Sequence, residues 1–305
     1  MGHVCAAREG LARIGGTIAT AHAETGRDGG WLGWTSVAWG STILAMGAVL
    51  VFPRFVGRAV LGGFAQLGRF SLLTFEIVRG LREWRIWFPR TITEMASVGV
   101  GSLFIVVLIA GFTGAVTAFQ AGYQWQTSLP LYVLGTLIVS NIVLELGPVL
   151  VGLVLAGRIG ARYAAELGTM RVTEQIDALD SLGRSPASHL IIPRVVTGFV
   201  MVPVMTILAD VVAVLVGWWS VKQVLPITDA DFIYGAQYYY RPFDAYYSII
   251  KAFFFGGAIT LISCYTGFNT KQGAEGVGRA VTAAVVASMV IILVLNATLA
   301  RVLLN

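Results

Sequence analysis

Apolar residues run almost unbroken for twenty or more positions at five places in the chain, near 96–119, 129–156, 187–221, 244–267 and 277–304. Each run is long enough to cross a hydrocarbon layer of about 30 Å as a tilted helix, and the third predicts a protrusion or a bend at Pro203. Upstream, Trp31 to Phe52 is a further uncharged run. It reads as an additional span, as an uncleaved signal-like anchor, or as sequence ahead of a later start at Met46. Residues 1–30 mix both charge signs without a period and predict a disordered tail. Between 54 and 95 seven arginines interleave with Phe, Leu and Trp. That mixture predicts a basic amphipathic helix in the headgroup layer, anchored by Trp84, Trp87 and Phe88 and ended or kinked at Pro89.

The polar positions are concentrated in one insert. From Gly157 and Arg158 onward the second run gives way to RIGARYAAELGTMRVTEQIDALDSLG before the third begins. Glu166, Thr173, Asp177 and Asp180 recur at spacings of three, four and seven, which puts them on one helical face, while Leu167, Met170, Ile176, Leu179 and Leu182 mostly point elsewhere. Gly168 predicts a break with Thr169 capping the second piece, and Gly183 followed by Pro186 predicts a stop. The product is a helix-break-helix at the membrane surface, either packed on its own bundle or offered to a soluble partner.

Composition agrees with the pattern. The chain is 56% hydrophobic and 12% charged, with a mean hydropathy of +0.77, which excludes an ordinary soluble core. The net charge of +5 comes largely from arginines beside apolar runs and reports orientation rather than nucleic-acid binding. Arg158, Arg162, Arg171, Arg184 and Arg194 flank the insert, Lys271 and Arg279 the last short loop, whereas 120–128 carries no charge. Positive residues favour the cytoplasm, so the insert is expected inside and the C-terminus outside. The opposite loop, 222–241, holds Asp229, Asp231 and Tyr234, Tyr238, Tyr239 and Tyr240. It reads as an interfacial aromatic belt or as a docking patch.

The segment ELGPVLVGLVLAGRIGARYAAELGTMRVTEQIDALDSLG, residues 145–183, resembles the signature of the MlaE-type permeases, the membrane subunits of ABC lipid transporters associated with MCE proteins. The resemblance extends from about Arg69 to the C-terminus. It implies an all-α polytopic membrane protein, with an extension over 1–52, an interfacial elbow helix region over 53–95 and a permease domain over 96–305. That domain would hold five core transmembrane helices, with a coupling helix between the second and third. It further implies a homodimer around a phospholipid cavity in the bacterial inner membrane, with a cytoplasmic ABC ATPase, an MCE-domain protein outside and a small STAS-type subunit on the ATPase. The residues placed at the ATPase would be Glu166, Thr169, Met170, Thr173, Glu174, Gln175 and Asp177. ATP would be used by the partner, with no cofactor bound by this chain.

Three ionisable residues interrupt apolar runs: Glu145, Asp210 and Lys251. A charge at mid-bilayer costs about 3 kcal/mol or more, so such groups face a bundle interior, a partner charge or a wet cavity. Glu145 follows Asn141 by one turn, and Gly147 and Pro148 loosen the helix and free backbone carbonyls. Glu145 and Lys251 are expected to approach each other, lining with Asn141 a cavity for a lipid headgroup, or neutralising one another as a structural pair. Asp210 is expected to pair with Lys251 or to hydrogen-bond a neighbouring helix. In related permeases Arg often precedes this glutamate, where Leu144 stands here.

Other chemistries lack their residues. No Gly-Lys pair occurs, so there is no GxxxxGK[ST] phosphate loop, and GxSxG is also missing. His3, His22 and His189 are scattered, and Cys5 and Cys264 are isolated, so neither a metal cluster nor a disulfide framework is expected. A competing class is an ion- or proton-coupled secondary transporter using Glu145 and Lys251. Such a carrier would have no use for a docking insert.

Overall fold

A computed structural model describes residues 68, 71–125, 130–238, 240–271 and 273–303. The extension over 1–52, with its candidate span, lies outside the described residues, as do residues 53–67 of the expected elbow region.

Helix α1 covers residues 71–80. Among the described residues five helices are long and apolar enough to span a membrane: α2 (Trp84–Gln124), α3 (Tyr132–Val172), α5 (Ala187–Val224), α7 (Pro242–Phe268) and α8 (Ala274–Leu303). Two shorter helices complete the order, α4 (Gln175–Ser181) after α3 and α6 (Asp229–Tyr238) after α5. Among the described residues there is no strand. This is the all-α polytopic membrane architecture expected from five long apolar runs, in which most backbone polar groups are satisfied within their own helices.

The polarity is that of a protein in lipid. Val100, Phe104, Phe112, Val116, Ile207, Val211, Leu215 and Leu293 are exposed. Where helices cross in the interior, small residues bring their backbones together. A methyl at Gly114 of α2 would overlap the Ala213 carbonyl of α5, and methyls at Gly198 of α5 and Gly256 of α7 would each overlap the other's carbonyl. Where the hydrophobic effect cannot separate helix from solvent, close backbone approach at small residues supplies the contact.

Two expected helix ends are displaced. The helix breaks at 81–83, and α2 runs through Pro89, which lies inside it and withholds one intrahelical N–H from the Arg85 carbonyl. Trp84, Trp87 and Phe88 therefore open the first span instead of closing the elbow. Nor does the insert break at Gly168. The helix continues to Val172, and the corner falls at Thr173 and Glu174, the latter left-handed at φ 59°. Gly168 is buried, with the site of its absent Cβ 3.0 Å from Thr270 Oγ1 and 3.4 Å from Val277. It is a packing glycine facing the α7–α8 loop, and Thr169 bonds back to the Ala165 carbonyl. The stop at Gly183 holds: its φ is +70°, and the Arg184 N–H closes onto the Leu179 carbonyl at 3.2 Å.

Helix α6 has no counterpart in the hydrophobic pattern. Thr228 and Asp231 form a reciprocal cap at its start, the sequence T-x-x-D being the signal that announces it. Its Gly235 packs against Tyr132, the Thr136 hydroxyl donates to the Gly235 carbonyl at 2.6 Å, and Tyr132, Tyr234 and Tyr238 form an edge-on aromatic cluster. Tyr234 and Tyr238 thus meet Tyr132 at a small helix–helix contact while staying exposed; Tyr239 lies outside the described residues.

Candidate functional site

In the middle of α3, residues Ile142–Leu146 widen into a π turn. The cause is local. Gly147 donates its N–H to Ile142 rather than to residue 143, and Pro148 has no N–H to offer Leu144. The Leu144 carbonyl is left open, and Lys251 of α7 fills it, Nζ to O at 2.9 Å. The same ammonium lies 3.0 Å from Glu145 Oε2 and 4.7 Å from the centre of the Tyr247 ring. Asn296 of α8 donates to Glu145 Oε2 at 3.1 Å. A proline, a lysine, a glutamate and an asparagine from three helices form one polar knot.

The two members of the ion pair are unequal. Lys251 is fully buried at 0% exposure, whereas the Glu145 side chain is 45% exposed. The carboxylate reaches a cavity of about 370 Å³ lined by Thr117, Gln120 and Gln124 of α2 and by Leu137, Asn141 and Glu145 of α3. Asn141 therefore shares the cavity with Glu145. Lys251 does not line it and stands behind the glutamate. Gln120 and Gln124 were not singled out from sequence; their signal is two amides a turn apart at the end of an apolar run. Asp210 takes the neighbouring-helix option, accepting from the Ser248 hydroxyl at 3.0 Å, and its other oxygen occupies the space that a side chain on Gly147 would fill.

The insert forms a second polar region. Glu166 is a hub: Arg162 donates to it at 2.7 Å and Arg194 of α5 at 2.9 Å, while Arg162 also reaches Ser97 of α2 at 2.7 Å. Arg194 lies over the Tyr163 ring at 5.5 Å. Glu166 thus ties α2, α3 and α5 together. Met170 is half-buried beside Leu167, and Thr169 is exposed. Thr173, Glu174, Gln175 and Asp177 are exposed, held by the buried Ile176 beneath them and by an ion pair from Arg171 to Asp177 that closes the corner. A cavity of about 330 Å³ joins Arg171, Glu174 and Asp177 to Thr270 and Lys271 of the α7–α8 loop. At the other end, Lys222 holds the exposed Asp229 carboxylate below its ordinary value by a hydrogen bond of 2.6 Å. Among the described residues no cluster of His, Cys, Asp and Glu is arranged to hold a metal.

Five spans, a buried charge behind a polar cavity and a folded polar insert describe a membrane permease. Residues 91–302 match the family described as Permease MlaE, and the chain belongs to that family. It is 37% identical over 241 residues to a probable ABC transporter permease protein of Rickettsia conorii, covering 79% of this chain and 93% of that protein. To a probable ABC transporter permease protein of a Synechocystis species it is 34% identical over 233 residues, 76% of this chain and 89% of the relative. It is also similar to the intermembrane phospholipid transport system permease protein MlaE of Haemophilus influenzae, 30% identical over 274 residues, with 84% and 98% covered.

Proposed function

We propose that this chain is the permease subunit of an ATP-driven phospholipid transporter, working in a bacterial inner membrane as one half of a homodimer. The observation that carries the reading is the cavity between α2 and α3, where Glu145 and Asn141 offer polar groups within an otherwise apolar span. A phospholipid needs an apolar chamber for its tails and a few hydrogen-bonding groups for its head. Glu145, Asn141, Gln120 and Gln124 supply the second, and the exposed apolar faces of two such chains supply the first. Lys251 pairs with the glutamate from behind. It has no exposure through which to touch a headgroup.

In this reading the chain hydrolyses nothing itself. A cytoplasmic ABC ATPase seats on the surface made by Thr173, Glu174, Gln175 and Asp177, and an MCE-domain protein meets the opposite end. Glu166 works from within, transmitting displacement of the insert to α2 and α5 through Arg162 and Arg194. The family's relatives named as ABC transporter permeases support the ATPase partner, and the name of the Haemophilus relative supports the phospholipid.

The test is Glu174→Lys with Asp177→Lys, in the chain co-expressed with a candidate ABC ATPase subunit from the same organism. Membrane insertion is expected to be unchanged, while co-purification of the ATPase or stimulation of its ATP turnover is lost. Unimpaired lipid transfer by the double variant, or transfer by the chain with no ATPase present, would sink the proposal in favour of an ion-coupled carrier built on Glu145 and Lys251.

A further inference from the structure

A second cavity, of about 220 Å³, opens at the end of the bundle that carries α4, between the start of α2 and the start of α5. Its walls are Arg90, Thr93 and Glu94 from α2 and His189, Leu190, Pro193 and Arg194 from α5. It shares no residue with the cavity at Glu145. Three polar atoms on these walls are buried and lack a hydrogen-bond partner among the described residues: Glu94 Oε2, His189 Nδ1 and Arg194 Nε. Arg194 and His189 are only 4% and 8% exposed. Arg194 has its other nitrogens engaged, with Leu190 and Glu166, and Arg90 spends one N–H on the His189 carbonyl at 2.9 Å.

An orphaned buried donor or acceptor costs about 1–3 kcal/mol. Here a donor on Arg194 and an acceptor on Glu94 stand open in one small space, with the free edge of the Arg90 guanidinium beside them. The complementary ligand accepts hydrogen bonds at one end and donates at the other. The surroundings say where it comes from. On the preceding helix α1, Leu72, Phe75 and Val78 are exposed at 65%, 65% and 61%, while Leu73, Ile77 and Gly80 pack inward, Gly80 against Ser188 and Ile192. Phe88 and Trp84, two and six residues before Arg90, are also exposed. Apolar residues facing outward beside arginines mark the headgroup layer. The volume matches the liquid share of about seven waters at about 30 Å³ each, room for a phosphate and a two-carbon arm.

We infer that this cavity binds the headgroup of a resident membrane phospholipid, its phosphate against Arg90 and Arg194 and its terminal amine or hydroxyl against Glu94. The site is separate from the transport cavity and does not depend on the transport reading. It has a built-in preference: ethanolamine and glycerol headgroups carry a terminal donor for Glu94, whereas the quaternary ammonium of choline has none.

The test is native mass spectrometry of the full-length chain released from nanodiscs of phosphatidylcholine, with or without a minor fraction of phosphatidylethanolamine or phosphatidylglycerol. The expected result is one retained molecule of a donor-bearing lipid per chain, with retention falling about tenfold in Arg90→Gln, as for the loss of one charge-assisted hydrogen bond. Thr93→Tyr, which fills the cavity without touching an ion pair, is expected to do the same, so a folding defect in either variant alone does not decide the matter. Equal retention of phosphatidylcholine, or retention unchanged in both variants, would overturn the site. Displacement of the lipid by inorganic phosphate alone would overturn the lipid assignment in favour of a soluble anion.

Discussion

Glu145–Lys251 and Arg171–Asp177 are each one carboxylate beside one cation, but they lie in different solvents. In the first, the cation is at 0% exposure and the carboxylate at 45%; in the second, the two are at 37% and 58%. A pair in water is replaceable by water and contributes little. A buried cation has no such substitute, so its partner is a condition of its being there at all. The middle of this bundle is therefore intolerant of change and the insert is free to vary in strength, which suits a fixed polar knot inside a cavity wall and an adaptable surface on the insert.

The largest test of that contrast is directional. Glu145→Ala leaves the Lys251 ammonium buried with the Leu144 carbonyl and the Tyr247 ring but no counter-charge, and is expected to destabilise the protein by about 3–5 kcal/mol, the range for breaking a buried pair. Lys251→Met leaves a carboxylate that already reaches the cavity, and is expected to cost less. Thermal unfolding in detergent followed by size-exclusion chromatography compares them, and a Lys251→Met variant less stable than Glu145→Ala would reverse the argument. Glu145→Leu combined with Lys251→Met is expected to recover much of the loss, since no charge then remains without a partner.

One added methyl gives the next two comparisons. Gly114→Ala drives a methyl into the backbone of Ala213, where neither helix can yield separately, and is expected to cost about 1–3 kcal/mol. Gly183→Ala meets nothing within 4 Å and is strained only by its positive φ. About 1 kcal/mol is expected there, localised to the insert and readable as faster amide exchange in α4 rather than as a lower unfolding midpoint. If both substitutions lower the midpoint equally, the insert is part of the cooperative bundle. The smallest effect is Arg171→Gln, at about 0–1 kcal/mol and shrinking as salt is added. A large, salt-independent loss would show that the corner is buried in the working assembly.

The two regions also differ in how far their residues announced themselves. Glu145 and Lys251 stood out because a charge inside an apolar run has few places to go, and Pro148 pointed to a freed carbonyl before its occupant was known. That Lys251 lies behind the cavity wall while Gln120 and Gln124 lie on it was not legible, because depth along a span does not reveal which way a side chain faces across it. In the insert, a single face through Glu166, Thr173, Asp177 and Asp180 requires the helical register to continue to residue 180. The corner at Glu174 divides them, leaving Glu166 as an internal tie and the others outside. Gly168 misled for a related reason: a glycine marks either a break or a close approach, and only the position of Thr270 and Val277 tells which.

The sequence by itself determined, over the described residues, five helices long and apolar enough to cross a membrane, a polar insert after the second of them and a helix stop at Gly183, because those outcomes rest on run length, local charge and backbone preference. Only the tertiary structure decided which polar groups meet. Lys251 with Glu145 and Leu144, Glu166 with Arg194, and the open valences of Arg194 and Glu94 are contacts between residues far apart in the chain. They depend on how glycines let neighbouring helices approach and rotate, and no local rule records that rotation.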